Sequence, residues 1–142
     1  MKKVIIGSLL FASSLALAAK SADMASKFVP NSKVVHETSK EVKMQTDHGS
    51  LIDIEFGMDG AFNEASGTNV DKDVFNPPDK MLTLKDAVAA AKKAGKNPVG
   101  KWSLEKGTLT GWAYEFQGFE NGKEMEYVID AKSGELKKAK KD

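Results

Sequence analysis

The stretch 112–136, WAYEFQGFENGKEMEYVIDAKSGEL, decides the fold of this chain. Large apolar residues alternate with polar ones on both sides of Asn121-Gly122, a dipeptide that strongly favours a tight turn between two strands. We therefore predict a β-hairpin with one apolar face on each strand. Those faces are formed by Trp112, Tyr114 and Phe116, and then by Met125, Tyr127 and Ile129.

A helix is predicted upstream, over residues 84–94. Thr83 is a suitable N-cap, Asp86 three residues later completes a capping-box-like pair, and Gly95 suits the position just past the helix end. Because small side chains allow close approach, we expect the helix to pack on the sheet. Its apolar stripe consists of Leu84, Ala87, Val88, Ala91 and Ala94.

Two further strand patterns precede the C-terminal hairpin. Trp102 and Leu104 predict one strand directly after the helix, and alternation around 47–50 predicts an N-terminal hairpin that ends at Asp59-Gly60. The apolar positions of the N-terminal hairpin are Val42, Met44, Ile52, Ile54 and Phe56, with Thr46 in the same register. The predicted fold class is α+β, a helix packed on an antiparallel sheet with an additional N-terminal β-hairpin unit.

The remaining segments predict the domain organisation. Two lysines, an apolar run and small residues at 16–18 indicate a signal peptide cleaved after Ala18, so we expect a periplasmic or secreted protein with no membrane insertion after cleavage. The predicted segments are a signal peptide (1–18), a flexible leader (19–31), an N-terminal hairpin unit (32–66), a linker that ends in Pro77-Pro78 (67–80), a C-terminal domain (81–137) and a basic tail (138–142).

The C-terminal domain carries motifs of a known family. The motifs are LTLKDAVAAA at 82–91, WSLE at 102–105, YEF at 114–116 and YVIDAKSGEL at 127–136. Over residues 81–137 the chain resembles the PepSY domain, and the 127–136 motif, with Ser133 in the place of the family's threonine, is the most specific part. The resemblance implies an α+β binding module of exported bacterial proteins and peptidase propeptides, without catalytic residues. No protease domain follows in this sequence, so inhibition would act on a separate protein.

The N-terminal hairpin resembles the C-terminal one more loosely. Gly60 aligns with Gly134, and Gly49 aligns with Gly122 after a slip of one residue. These alignments favour a degenerate PepSY-like repeat. The alternative is two unrelated hairpins that share turn glycines.

Composition argues against several classes of function. The chain contains no cysteine and no arginine, and its net charge is +1. Thiol chemistry is therefore excluded, and nucleic-acid binding is disfavoured because arginine is the preferred ligand for phosphates and guanine edges. We expect no nucleic-acid partner and no cofactor.

Metal ligands are few in this sequence. His36 and His48 are the only histidines, and we interpret both as surface residues with weak metal-binding potential at most. Asn69, Asp71, Asp73 and Asn76 could supply oxygen ligands, but their spacing lacks the glycine and the distal glutamate of an EF-hand loop.

Other polar residues have simpler structural interpretations. Glu115 and Glu126 are expected on the wet face of the sheet and not as a catalytic pair. Asp130 is expected to accept hydrogen bonds from the turn that follows it, and Gly134 to take a left-handed conformation. Trp112 is expected in the core. Trp102, if partly exposed, is the first candidate for contact with a partner.

These observations predict a non-catalytic exported PepSY-type module. Its exposed sheet edges could bind a protein or peptide partner as an added strand, and a peptidase is one such partner. The alternative is a small accessory protein of a cell-envelope metal or haem redox system, which bound metal or haem would distinguish.

Overall fold

The computed structural model describes residues 20–108 and 111–141, so the predicted signal peptide lies outside the described residues. The strands are β1 (Ser32–Glu37), β2 (Glu41–Thr46), β3 (Leu51–Phe56), β4 (Phe62–Gly67), β5 (Trp102–Gly107), β6 (Gly111–Glu120), β7 (Lys123–Asp130) and β8 (Leu136–Lys141). They form one antiparallel sheet in which chain order and sheet order coincide. Two helices, α1 (20–28) and α2 (Leu84–Lys93), precede β1 and β5. The predicted α+β class with an antiparallel sheet is confirmed.

Helix α2 begins at Leu84, as predicted, and ends at Lys93, one residue before the predicted end. The Thr83 side chain accepts a hydrogen bond of 3.2 Å from the backbone N–H of Asp86. Gly95 has a φ of 81° just after the C-cap residue Ala94. Leu84, Ala87 and Ala91 are buried, whereas Ala94 is exposed at the end of the helix. No helix among the described residues is long and apolar enough to cross a membrane.

One face of the sheet carries the core. Alternate residues of the strands join the buried side chains of both helices in a single apolar cluster. Large aromatic rings dominate its second half, where Tyr114 and Phe116 stack with centroids 5.8 Å apart. The main sheet residues of this cluster are Val42, Met44, Ile52, Ile54, Ala65, Trp102, Leu104, Tyr114, Phe116, Tyr127 and Ile129.

The N-terminal strands extend the same sheet. β2 and β3 pair antiparallel to each other, and β1 and β4 flank them. β4 then pairs with β5 through Glu64↔Glu105 and Gly67↔Trp102, so the first hairpin belongs to a meander that continues into the C-terminal strands. Each half thus has one helix followed by four strands. Gly49 and Gly122 lie in corresponding turns with positive φ, as do Gly60 and Gly134.

The expected flexible leader, 19–31, is corrected by the structure. Residues 20–28 are helical, and Ala25, Phe28 and Val29 are buried in the core. The Phe28 ring lies 5.6 Å from the Phe62 ring in an edge-to-face contact. The segment contains many polar residues, so its few apolar residues did not show a helical period. They lie on the one side of the helix that packs against the sheet.

The linker and the tail are also corrected. Within the expected linker, 67–80, Val70 and Phe75 are buried, and the loop bonds to α1 through the Asn76 N–H and the Phe28 carbonyl at 2.8 Å. Residues 138–141 of the expected basic tail, 138–142, are instead part of β8, which pairs with β7. Lysine is tolerated there because β8 is an edge strand, where charged side chains remain in solvent.

Candidate functional site

The candidate site is the sheet face opposite the core, which we call the open face. Its residues alternate with the core residues along each strand and are half-buried or exposed. Cross-strand pairing joins them into continuous rows from one strand to the next. The central row is Lys43, Asp53, Ser66, Ser103 and Glu115.

A hollow of about 440 Å³ lies on this face. Its volume is within the range typical of small-molecule or side-chain binding clefts. Lysine, carboxylate, hydroxyl and amide groups line it together with parts of two core aromatic rings. The polar lining includes Lys43, Asp53, Ser66, Ser103, Glu115 and Gln117.

A row of four glutamates crosses the open face beside the hollow. Glu41 pairs with Glu55, Glu55 pairs with Glu64, and Glu64 pairs with Glu105, on four adjacent strands. We call these four residues the glutamate row. Like charges directly opposite each other on neighbouring strands repel and destabilise the sheet. The row therefore costs stability in the isolated protein.

One lysine compensates one end of this row. The Lys43 ammonium lies 3.0 Å from Glu41 Oε1 and 2.9 Å from Asp53 Oδ2. Hydrogen bonds with these two carboxylates raise the pKa of Lys43 to about 12. The hydrogen bond with Lys43 is the largest cause that lowers the pKa of Glu41, and the side-chain contact with Asp53 is the next largest. The other oxygen of Asp53, Oδ1, is buried and has no hydrogen-bond partner among residues 20–108 and 111–141.

The other carboxylates of the open face are held in a less favourable field. Burial, and then the charges of Glu55 and Glu105, raise the pKa of Glu64 above its usual value. Burial also raises the pKa of Glu115, with further contributions from Glu105 and Glu126. Both directions mean that the folded protein disfavours the ionised form of these groups.

A second polar cluster centres on the buried carboxylate of Asp73. Its Oδ2 accepts hydrogen bonds from the Trp102 indole N–H at 2.8 Å and the Asn69 backbone N–H at 3.1 Å. Its Oδ1 lies 2.6 Å from the Ser50 hydroxyl and 2.9 Å from His48 Nε2. The cluster therefore fastens the loop after β4 to the β2–β3 turn and to β5.

This cluster brings serine, histidine and aspartate together, but not as a nucleophilic triad. A triad needs a histidine Nε2 that accepts the serine proton. Here Nε2 of His48 faces both the Asp73 carboxylate and Ser50 Oγ, which is 2.8 Å away. A carboxylate oxygen can only accept, so the network assigns the proton to Nε2 and directs the Ser50 hydroxyl to Asp73. The arrangement fixes the loop and leaves no free base for the serine.

Trp102, the predicted partner contact, is corrected by its burial. The side chain is 2% exposed, and its N–H is committed to Asp73. Because side chains alternate along β5, Trp102 lies on the core face of the sheet, beneath the candidate site. Trp112 is partly buried and stacks on Phe62 at 5.3 Å, consistent with its expected core position.

The other predicted residues lie close to where the sequence places them. Glu115 and Glu126 lie on the open face, and Glu126 forms a 3.3 Å ion pair with Lys140. Asp130 Oδ1 accepts hydrogen bonds of 2.8 Å from the N–H groups of Lys132 and Ser133. Gly134 has a φ of 76°, so the structural interpretation of this turn is confirmed.

The weak metal candidates do not converge. His36 is exposed on the edge strand β1, whereas His48 joins the Asp73 cluster. Asp71 is exposed, and Asp73 accepts bonds from N–H and O–H donors. Among the described residues, no group of three or more His, Asp or Glu side chains is arranged to hold a metal ion.

Sequence reasoning missed the glutamate row and the Asp73 cluster. The row members are separated by unequal intervals, so only the strand register reveals them. One signal in the sequence could have indicated the Asp73 cluster. Trp102, an aromatic residue that is usually buried, occurs together with a polar loop after β4 that is too long to remain unpacked.

Comparison with known proteins identifies the C-terminal segment. Residues 81–140 match the family model PepSY, described as peptidase propeptide and YPEB domain. No curated protein and no solved structure is significantly similar to the chain. The matched segment covers α2, β5–β7 and all but the last residue of β8, and it contains all four motifs noted above. Residues 81–140 therefore carry a match to the PepSY family, which confirms the resemblance.

Proposed function

We propose that this chain is an exported, non-catalytic PepSY-type module that binds a protein or peptide partner, and that a peptidase is the partner class to test first. The observation that carries this proposal is the open face. Both helices cover one side of the sheet, while the other side offers a polar surface with a shallow hollow. A sheet face that served only to keep the protein in solution would not need a hollow in which carboxylate, hydroxyl and lysine groups lie side by side.

The family match supports the same function. The PepSY description refers to peptidase propeptides, which is consistent with a module that contacts a peptidase. The Asp73 cluster is consistent with this function, because His48 and Ser50 serve to hold a loop. The edge strands β1 and β8 are a second surface on which an extended peptide could add as a strand.

The proposal includes an N-terminal half that is a degenerate copy of the PepSY domain. Each half has one helix and four strands, and the turn glycines correspond. Duplication would place the two copies edge to edge through β4 and β5, and so create an open face wider than either copy supplies alone.

Export and processing are tested first. The precursor, with a C-terminal affinity tag, is expressed in a bacterium, fractionated and subjected to N-terminal sequencing. We expect it in the periplasm or medium with Ala19 as its first residue. Retention of Met1 in the cytoplasm would contradict export.

Partner binding is then tested with the processed protein. It is titrated against metallopeptidases exported by the organism that encodes it. The rate of peptide hydrolysis reports inhibition, and sedimentation reports complex formation. A stoichiometric complex with reduced hydrolysis supports peptidase restraint, and a complex without it supports binding alone. Hydrolysis of peptides or esters by the chain itself would contradict the proposed function.

A further inference from the structure

We propose that a groove between the loop after β4 and helix α2 binds an extended segment of a partner protein, in which one apolar side chain lies between two carboxylates. The groove has a volume of about 560 Å³, which is within the range typical of ligand-binding clefts. Helix α2 packs on the core side of the sheet, so the groove is separate from the open face. The inference therefore goes beyond the proposed function and names a second contact surface.

One wall of the groove is a stripe of helix α2. Lys85, Val88, Ala89 and Lys92 line the groove. Their spacing of three, four and seven residues places them on one side of the helix. Val88 is half-buried and Ala89 is exposed, and the two exposed lysines lie about 10.5 Å apart along the helix axis. This wall thus has an apolar centre between two cations.

The other wall is the loop after β4, which buried contacts hold in place. Asp73 accepts the Trp102 indole N–H, and the buried Phe75 ring lies 5.4 Å from the Trp102 ring. The Leu84 N–H donates to the Phe75 carbonyl at 3.0 Å, which ties the loop to the start of α2. Val74, between the two buried residues, lines the groove and is 50% exposed. A preformed apolar wall lowers the entropic cost of binding.

The charges around the groove define the chemistry of the segment it binds. Lys72, Lys85 and Lys92 line the groove, and none of them forms an ion pair within residues 20–108 and 111–141. Of the lining carboxylates, Asp71 is exposed, and Asp73 already accepts hydrogen bonds from the protein. The rim therefore has a net positive charge. An uncharged apolar segment would bring ammonium groups against apolar surface without counter-ions, whereas carboxylates beside the apolar side chain pair with them.

The spacing of the lysines sets the spacing of the carboxylates. In an extended peptide, side chains on one face recur about every 6.7 Å, so positions i, i+2 and i+4 span about 13 Å. Glutamates at i and i+4 reach Lys85 and Lys92 through flexible side chains, and leucine at i+2 lies against the apolar centre of the groove. A fatty acid is a poorer match, because its single carboxylate leaves one of these two lysines without a counter-ion.

A titration followed by nuclear magnetic resonance tests the inference. Isotope-labelled protein is titrated at low salt with the peptide Thr-Glu-Thr-Leu-Thr-Glu-Thr. One comparison peptide has threonine in place of leucine, and another has glutamine in place of both glutamates. We expect the amide resonances of residues 70–76 and 85–92 to shift. Each comparison peptide should bind at least about threefold more weakly.

Matched lysine variants locate the charged contacts. The groove variant Lys85→Gln/Lys92→Gln removes two cations from the helix stripe. The control variant Lys27→Gln/Lys93→Gln removes two exposed helical lysines that do not line the groove. The groove variant should bind the peptide about fivefold more weakly, and the control variant within about twofold of wild type. Urea unfolding checks that both variants keep the stability of wild type.

Matched valine variants test the apolar contact. Val74→Ser replaces an exposed apolar side chain on the loop wall, so we expect about threefold weaker binding. Val35→Ser is the control, because Val35 on β1 is 48% exposed and does not line the groove. Its affinity for the peptide should equal that of wild type.

Equal weakening in groove and control variants, or shifts confined to the open face, would overturn the inference and retain the proposed function. Dodecanoate that shifts the same amides at lower concentration than the peptide would also overturn it, in favour of a lipid. Self-association in sedimentation that Lys85→Gln/Lys92→Gln abolishes would assign the groove to a second copy instead. A peptidase panel that gives no complex, with peptide binding in the groove intact, overturns the peptidase assignment and supports the groove.

Discussion

The indole N–H of Trp102 donates a hydrogen bond of 2.8 Å to Oδ2 of Asp73, across 29 residues of sequence. Both side chains are buried, and the carboxylate also accepts bonds from Ser50 and from the backbone of Asn69. The bond fixes the loop after β4 at the border between the two halves of the sheet.

Replacement of Trp102 by phenylalanine should lower the free energy of unfolding by about 1–3 kcal/mol, because it leaves a buried carboxylate oxygen short of a donor. Urea unfolding measures the loss. Trp112→Phe is the control, since Trp112 is only partly buried and packs by stacking on Phe62. Equal losses in the two variants would show that the hydrogen bond contributes nothing beyond the size of the ring.

Gly67→Ala should be destabilising by about 1–3 kcal/mol, although Gly67 has an ordinary strand conformation. A methyl group at this position would lie 2.5 Å from Asp73 Oδ2 and would also collide with the Trp102 indole. Thermal and urea unfolding, together with near-ultraviolet circular dichroism of the tryptophan, report the displacement. Ser66→Ala, one residue earlier, should have little effect. A Gly67→Ala protein with unchanged stability would contradict the close packing of this contact.

Asp130→Asn should lose stability at neutral pH but not in acid. The backbone of Ser133, and then Lys137 and the backbone of Lys132, lower the pKa of Asp130 well below its usual value. A lowered pKa contributes stability above the unfolded-state value of about 3.9, and this contribution is lost as the pH falls through the folded-state value. We expect a loss of about 1 kcal/mol at pH 7, limited by solvent exposure, that shrinks below about pH 4.

Urea unfolding of wild type and Asp130→Asn across the acid range measures this dependence. Glu135→Gln, in the same turn, is the control and should show a small effect at every pH. A constant difference between wild type and Asp130→Asn would indicate that shape, and not charge, explains the role of this residue.

Glu64→Gln should stabilise the protein at neutral pH. Burial and the charges of Glu55 and Glu105 raise the pKa of Glu64. A raised pKa contributes stability below the unfolded-state value of about 4.3, and this contribution is lost as the pH rises through the folded-state value. We expect the variant to be about 0.5 kcal/mol more stable than wild type at pH 7, with less advantage near pH 4.

The measurement is the free energy of unfolding in urea at the two pH values. Glu135→Gln again removes one negative charge at an exposed position off the open face. A Glu64→Gln protein that is less stable than wild type at pH 7 would exclude repulsion as the dominant effect in the glutamate row.

Local signals in the sequence were sufficient for much of the second half. Thr83 and Gly95 define the ends of α2 through backbone contacts within a few residues. Asn121-Gly122 sets the register of β6 and β7, and Asp130 satisfies the amides of its own turn. Each of these features depends on neighbours in the chain, so the pattern of residues contains the relevant physics.

The candidate site depends on contacts between residues that are far apart in the sequence. β4 (Phe62–Gly67) has little apolar alternation and forms a strand because β3 and β5 pair with it on both sides. The apolar side of helix α1 can be recognised only from its packing, in which Phe28 contacts Phe62 and Phe75. The sheet register alone brings Glu41, Glu55, Glu64 and Glu105 into one row.

The sequence by itself thus determined the elements with local caps and turns, the class of fold and the PepSY assignment of the C-terminal segment. Only the tertiary structure decided that both halves share one sheet, that Trp102 is buried against Asp73, and that four glutamates face one another. The physical reason is that caps and turns are stabilised within a few residues, whereas strand register and buried polar contacts are set by packing between segments far apart in the chain.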